Sequence, residues 1–186
     1  MRNKTQNNQT MEQTEQANKG KETLALDFIT CRIKGKFFML PQFIHSSDEK
    51  FNETIRLELS LDDFYSYGDI FSQETEKVIK IMHSYFRLID KSCEDAGVNL
   101  MTMLFQIYHE TGKLKDEYYL ALNKMLAEGN YSAPYFIALD WIVGGSLKRG
   151  YDLMLTLDSR EDVFAKLFFE DYLKHEFLED TSAALQ

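Results

Sequence analysis

Near Ser72 the spacing of apolar residues changes from two to between three and four. This divides the chain into a strand-forming part and a helix-forming part. Before the change, Ile55, Leu57, Leu59 and Leu61 alternate with Arg56, Glu58 and Ser60 in TIRLELSL, the pattern of a half-buried strand. Two earlier runs, LDFITCRI and KFFMLPQFI, flank Lys34-Gly35-Lys36, which reads as a hairpin turn. Pro41 has no N–H to give to a ladder, so it places the second run at a sheet edge or ends it early. Three antiparallel strands are therefore expected within residues 23–71, with HSSDEKFNE as a loop.

After the change the pattern is helical. Val78, Met82, Tyr85, Phe86, Ile89, Cys93 and Ala96 form one apolar stripe, which predicts a helix capped by Ser72 and stopped at Gly97. NLMTMLFQIYHETG is apolar nearly all round, with only Thr102, Gln106, His109 and Glu110 sharing a polar stripe, and should be the central helix. A third helix follows in KLKDEYYLALNKMLAEG, with Leu114, Tyr118, Ala121, Leu122 and Met125 on one face. Ser132, with Pro134 in the first turn, opens a fourth. YDLMLTLD fits a strand or a short helix, and Ser159 to Asp162 reads as a capping box that opens a last helix reaching about Asp180. The fold class is α+β: a small N-terminal antiparallel sheet of about three strands, then a bundle of four to five helices over residues 72–180, expected to share one core with it. Residues 181–186 form a tail.

Residues 1–22 are almost entirely polar and cannot bury enough apolar surface to offset their ordering entropy, so a partner is needed to hold this arm in place. The remainder has material for a core, since 44% of the chain is hydrophobic and 13% aromatic. With 30 acidic against 21 basic residues and a net charge of −9, the surface repels phosphate backbones and anionic lipid. Direct binding to nucleic acid or membrane is not expected. The N-terminus has no apolar core of a signal peptide, and no apolar run is long enough to span a bilayer. Cys31 and Cys93 lie in different segments and read as reduced thiols. These features together predict a cytoplasmic protein, or one assembled into a particle there, that is not secreted.

One stretch stands out for chemistry. YFIALDWIVGGSLKRG places Asp140 in an apolar run ahead of two glycines and a Lys-Arg pair. A buried Asp must be paired or shifted in pKa, which is how catalytic acids are made, so Asp140, His109 and Glu110 are the candidate catalytic residues. Pairing with Arg149, Lys148 or a tyrosine is the structural alternative, and we carry that forward. Ser146, Lys148 and Arg149 are candidates for an anion-binding turn, but the spacing of a phosphate-wrapping loop is lacking and paired glycines more simply end a helix. Asp171 with His175, and Asp90 with Glu94, are spaced for two metal ligands each, fewer than the three or four a zinc site needs. No metal or cofactor is expected.

The functional expectation is a non-catalytic interaction or assembly protein, with a protein partner or self-oligomer engaged through the N-terminal arm. A phage virion connector or ring component is the specific form, because arms tie neighbours together there and acidic surfaces suit a DNA-conducting lumen. The alternatives are an acidic inhibitor or immunity-type protein that binds a basic partner, and an enzyme or ligand-binding domain with a dispersed site around Asp140.

Overall fold

The computed structural model describes residues 25–61 and 75–170. The polar arm, Ser72, the Asp171–His175 pair, the predicted end of the last helix and the C-terminal tail lie outside those residues. Within them the fold is mixed: one two-stranded antiparallel sheet and seven helices.

Strands β1 (Ala25–Ile33) and β2 (Lys36–His45) pair antiparallel, with Ile33 opposite Lys36. The turn between them holds Lys34 at φ 51° and Gly35 at φ 82°, the two left-handed residues that a tight hairpin requires. One face of the hairpin buries Cys31, Ile33, Phe38 and Leu40. On the other, Phe28 meets Phe164 edge-on at 6.3 Å.

The expected third strand is a helix. Helix α1 (Glu49–Leu59) takes up most of TIRLELSL, and its apolar alternation is only apparent, because Leu57 is 51% exposed. The buried positions are Phe51, Asn52, Thr54, Ile55 and Glu58, a helical stripe disguised by polar residues. Asp48 caps it, its carboxylate accepting from the amides of Lys50 (2.8 Å) and Phe51 (3.2 Å). Asn52 then closes the corner from β2, accepting from the Ser46 amide and donating to the Ser46 carbonyl.

The helix predicted to run to Gly97 is two. Helix α2 (Thr75–Ile89) stops because Ser92 adopts the left-handed conformation, φ 63°, and the Cys93 amide bonds back to Leu88. Gly97 lies inside α3 (Glu94–Thr111), where a β-carbon would come within 3.2 Å of Met125 and Asn130. Every residue of α3 from Ala96 to Ile107 is buried, and it touches α2, both strands and the two helices that follow. Those are α4 (Lys115–Ala127) and α5 (Ala133–Val143).

The ambiguous YDLMLTLD is helical, within α6 (Leu147–Asp158). Ser159 does not open the last helix but ends α6, donating to the Thr156 carbonyl. Asp162 is the cap of α7 (residues 163–170), accepting from the Ala165 amide at 2.9 Å.

Helix α3 also seals the outer edge of β2. Asn99 accepts from the Phe43 amide (2.7 Å) and donates to the Phe43 carbonyl (2.9 Å), so its amide acts as one residue of a neighbouring strand. Thr102 donates to the Pro41 carbonyl and Tyr135 of α5 to the Met39 carbonyl. An edge that would otherwise invite pairing is thereby closed by side chains, and Pro41 leaves no amide to satisfy.

Helices α5 and α6 cross at Gly150. A β-carbon there would stand 2.5 Å from Ile142 Cγ1 and 2.7 Å from the Ala138 carbonyl oxygen. The backbone oxygen cannot turn aside, so Gly150→Ala must push the helices apart. Overpacking costs about 1–3 kcal/mol, partly offset by the better helix propensity of alanine, about 1 kcal/mol. The expected net loss is about 1 kcal/mol, a fall in Tm of roughly 2–4 °C for a chain of this size. An unchanged or raised Tm on thermal unfolding would show that the crossing is looser than described.

Candidate functional site

Three helices meet where α3 ends, α4 begins and α5 passes its midpoint. His109 projects from the last turns of α3, Tyr118 and Tyr119 from the first turn of α4, and Asp140 from α5. His109 Nε2 lies 3.1 Å from Asp140 Oδ1, but off the line of a hydrogen bond, so that contact is electrostatic. The other carboxylate oxygen accepts from the Tyr119 hydroxyl at 3.2 Å. The imidazole is 7% exposed and the Asp140 side chain 18%. Rings pack around His109: Phe105 at 4.4 Å, Tyr108 at 4.5 Å and Tyr118 at 6.0 Å. Burial, reinforced by the negative charge of Asp140, pushes the Tyr118 and Tyr119 phenols well above their ordinary range.

A carboxylate beside an imidazole supplies two of the three members of a nucleophilic triad. The thiols do not supply the third part. Cys93 precedes the opposite end of α3, about 24 Å away along the helix axis. Cys31 faces a different side, near Glu110 and Tyr135. Burial, with a contribution from Glu110, pushes the Cys31 thiol up to about 12. Burial also raises the half-buried Cys93. A thiol reagent at neutral pH should therefore reach Cys93 slowly and Cys31 only after unfolding. Two fast-reacting thiols in the native protein would overturn the placement of Cys31. The folded chain keeps the Cys31 proton more tightly than the unfolded one, so this contribution is complete below about 9 and is lost as pH rises toward about 12.

The structure thus brings His109 and Asp140 together, whereas Glu110 is turned toward the hairpin and acts on Cys31. Arg149 does not reach Asp140; its guanidinium carbon stands 3.8 Å above the Trp141 ring. Ser146 precedes α6 without a side-chain capping bond, and Lys148 is exposed. The carbonyl end of α5 beside the two glycines takes a cation instead of an anion, since Lys34 Nζ donates to the Val143 carbonyl at 3.1 Å. Among the described residues no group of three or more His, Cys, Asp and Glu could hold a metal, and no helix is long and apolar enough to cross a membrane.

A second polar network, not anticipated from the sequence, lies where α1 and α2 meet β2. Glu58 of α1 is 3% exposed, and its carboxylate accepts from Tyr85 of α2 (2.5 Å) and Gln42 of β2 (3.3 Å). Asn99 also donates to the Tyr85 oxygen at 3.2 Å, joining α1, α2, α3 and β2. A signal was present: Asn99, Thr102 and Gln106 continue one polar stripe on an otherwise apolar helix. Comparison with protein families, with curated proteins and with solved structures returned no match.

Proposed function

We propose that the protein works by binding other protein and not by catalysis, as an interaction or assembly component. The specific form we favour is a subunit of a larger particle, such as a phage virion connector or ring. The observation that supports this most is the packing of His109. The one carboxylate–imidazole pair of the candidate residues is closed in by Phe105, Tyr108 and Tyr118, with Tyr119 on the remaining oxygen of Asp140. Rings packed this way hold the three helices together at their junction. The net charge of −9 and the polar arm of residues 1–22 add to the reading. Capture from native lysate with the intact protein, followed by native mass spectrometry, tests it. A stoichiometric partner or a closed oligomer is expected; a monomer that brings down nothing defeats the proposal.

An acidic inhibitor of a basic protein is the second reading, supported by the carboxylates gathered at the start of α3. Deleting residues 1–22 separates the two. A particle subunit should lose assembly, whereas an inhibitor with a preformed acidic face should keep its partner. A dispersed active site around Asp140 is supported by its approach to His109. It predicts that Asp140→Asn abolishes an activity without changing Tm.

A further inference from the structure

We propose that the outer row of α6 pairs with the same row of a second copy of this chain, the two helices running antiparallel. This rests on the binding reading above and names the chain itself as one of its partners.

Helix α6 buries Gly150, Met154 and Leu157 against its own core. Leu147, Tyr151 and Leu155 recur every four residues and form a separate row along it. Leu147 is 41% exposed and Leu155 56%. Tyr151 lies half-buried between them, its ring 6.0 Å from Phe168 of α7. Two leucines left in water at either end of one row are apolar surface that a matching row would bury.

The charges say which way the covering helix runs. Helices α1 to α4 each carry an acid in the first turn and a basic residue in the last, the arrangement that suits the helix dipole. Helix α6 is reversed. Lys148 and Arg149 stand in its first turn, Asp158 ends it, and it has no acid at the start or base at the end. Arg149 is accounted for by Trp141. Among the described residues Lys148, Asp152 and Asp158 have no ion-pair partner. The reversal is unfavourable for a helix alone. An antiparallel copy offsets it, because each basic end then lies beside an acidic one.

A two-fold axis level with Tyr151 sets the register. Leu147 of one copy faces Leu155 of the other, and symmetry makes the reverse contact. Lys148 and Asp152 lie on one flank of the row, and the axis keeps like flanks together. Lys148 comes to rest about 3 Å along the helix from the other copy's Asp152, within reach of a lysine side chain. The contact therefore holds two such pairs. It is isologous and closes on itself, giving pairs and not filaments.

Sedimentation velocity of the full chain tests this. At about 150 mM salt the charge of −9 on each copy is screened beyond about 8 Å, while pairs in contact are not. A dimer with a Kd in the micromolar range is expected, since one helix row makes a contact at the small end of specific interfaces. Lys148→Asp and Asp152→Lys should each weaken it at least about tenfold, because each sets two like-charged pairs across the axis. Mixed one to one, these two variants should dimerise about as well as the parent protein, since every pair is again of opposite sign. Leu155→Lys should weaken the dimer at least about tenfold. Leu120→Lys, at a leucine 62% exposed on α4, should change it less than about twofold. All four positions are exposed, so the variants should fold. A monomeric parent protein, a dimer indifferent to Leu155→Lys, or a mixture no tighter than its separate components would each overturn the proposal. A monomer that still captures a stoichiometric partner from lysate defeats this inference alone. One that captures nothing defeats the broader reading as well.

Discussion

Asn99→Ala should be among the most damaging single changes in the chain, lowering stability by about 2–5 kcal/mol, because each buried group left without its partner costs about 1–3 kcal/mol. Two such groups are the amide and carbonyl of Phe43, now paired at 2.7 and 2.9 Å. Asn99 is fully buried, so water cannot replace the lost amide without entering the core. Asn99→Asp is the informative companion. It keeps an acceptor for the Phe43 amide but sets an oxygen against the Phe43 carbonyl and loses the donor to Tyr85. It should therefore destabilise at least as much as alanine. Denaturant unfolding of both variants checks this, and a loss below about 1 kcal/mol, the scale of one ordinary hydrogen bond, would show that β2 does not depend on α3 for its edge.

The second large effect is expected at Glu58. Removing the carboxylate with Glu58→Ala strands the Tyr85 hydroxyl and the Gln42 amide in a site 3% exposed. Hydrogen bonds to a charged group contribute about 1.5–3 kcal/mol each, so a loss of roughly 3–5 kcal/mol is expected. Glu58→Gln preserves shape and one acceptor and should cost about half as much on the same scale. The pairing can be isolated with the cycle of Glu58→Ala, Tyr85→Phe and the double variant. A coupling energy of about 1–3 kcal/mol is expected for residues in direct contact. Strict additivity would mean that Glu58 and Tyr85 contribute independently of their contact.

These two residues also mark where sequence reasoning fell short. The hairpin was legible because Lys34-Gly35 sits between two apolar runs, and the order of helices was legible from their stripes. The third strand failed at Glu58. A buried carboxylate on the inner face of α1 looked like the polar half of an alternating pattern, and only its partners on α2 and β2 account for its burial. The missed break after Ile89 has a similar cause: the left-handed residue is Ser92, and no glycine or proline announces it. At the candidate site, the meeting of His109 with Asp140 depends on how α3 crosses α5, which helical spacing alone does not determine. Glu110, one residue on, is turned to the hairpin.

The hairpin is made early and completed late. Its partners Asn99, Tyr135 and the Val143 carbonyl lie 56, 96 and 109 residues downstream of the groups they satisfy. A two-stranded hairpin is marginal in water by itself. At about 5–20 residues per second of synthesis, a hundred-residue delay leaves the nascent edge of β2 unsealed for roughly 5–20 s. During that interval a newborn chain carries an adhesive strand that the finished molecule has hidden, and crowding on a polysome would bring such chains side by side.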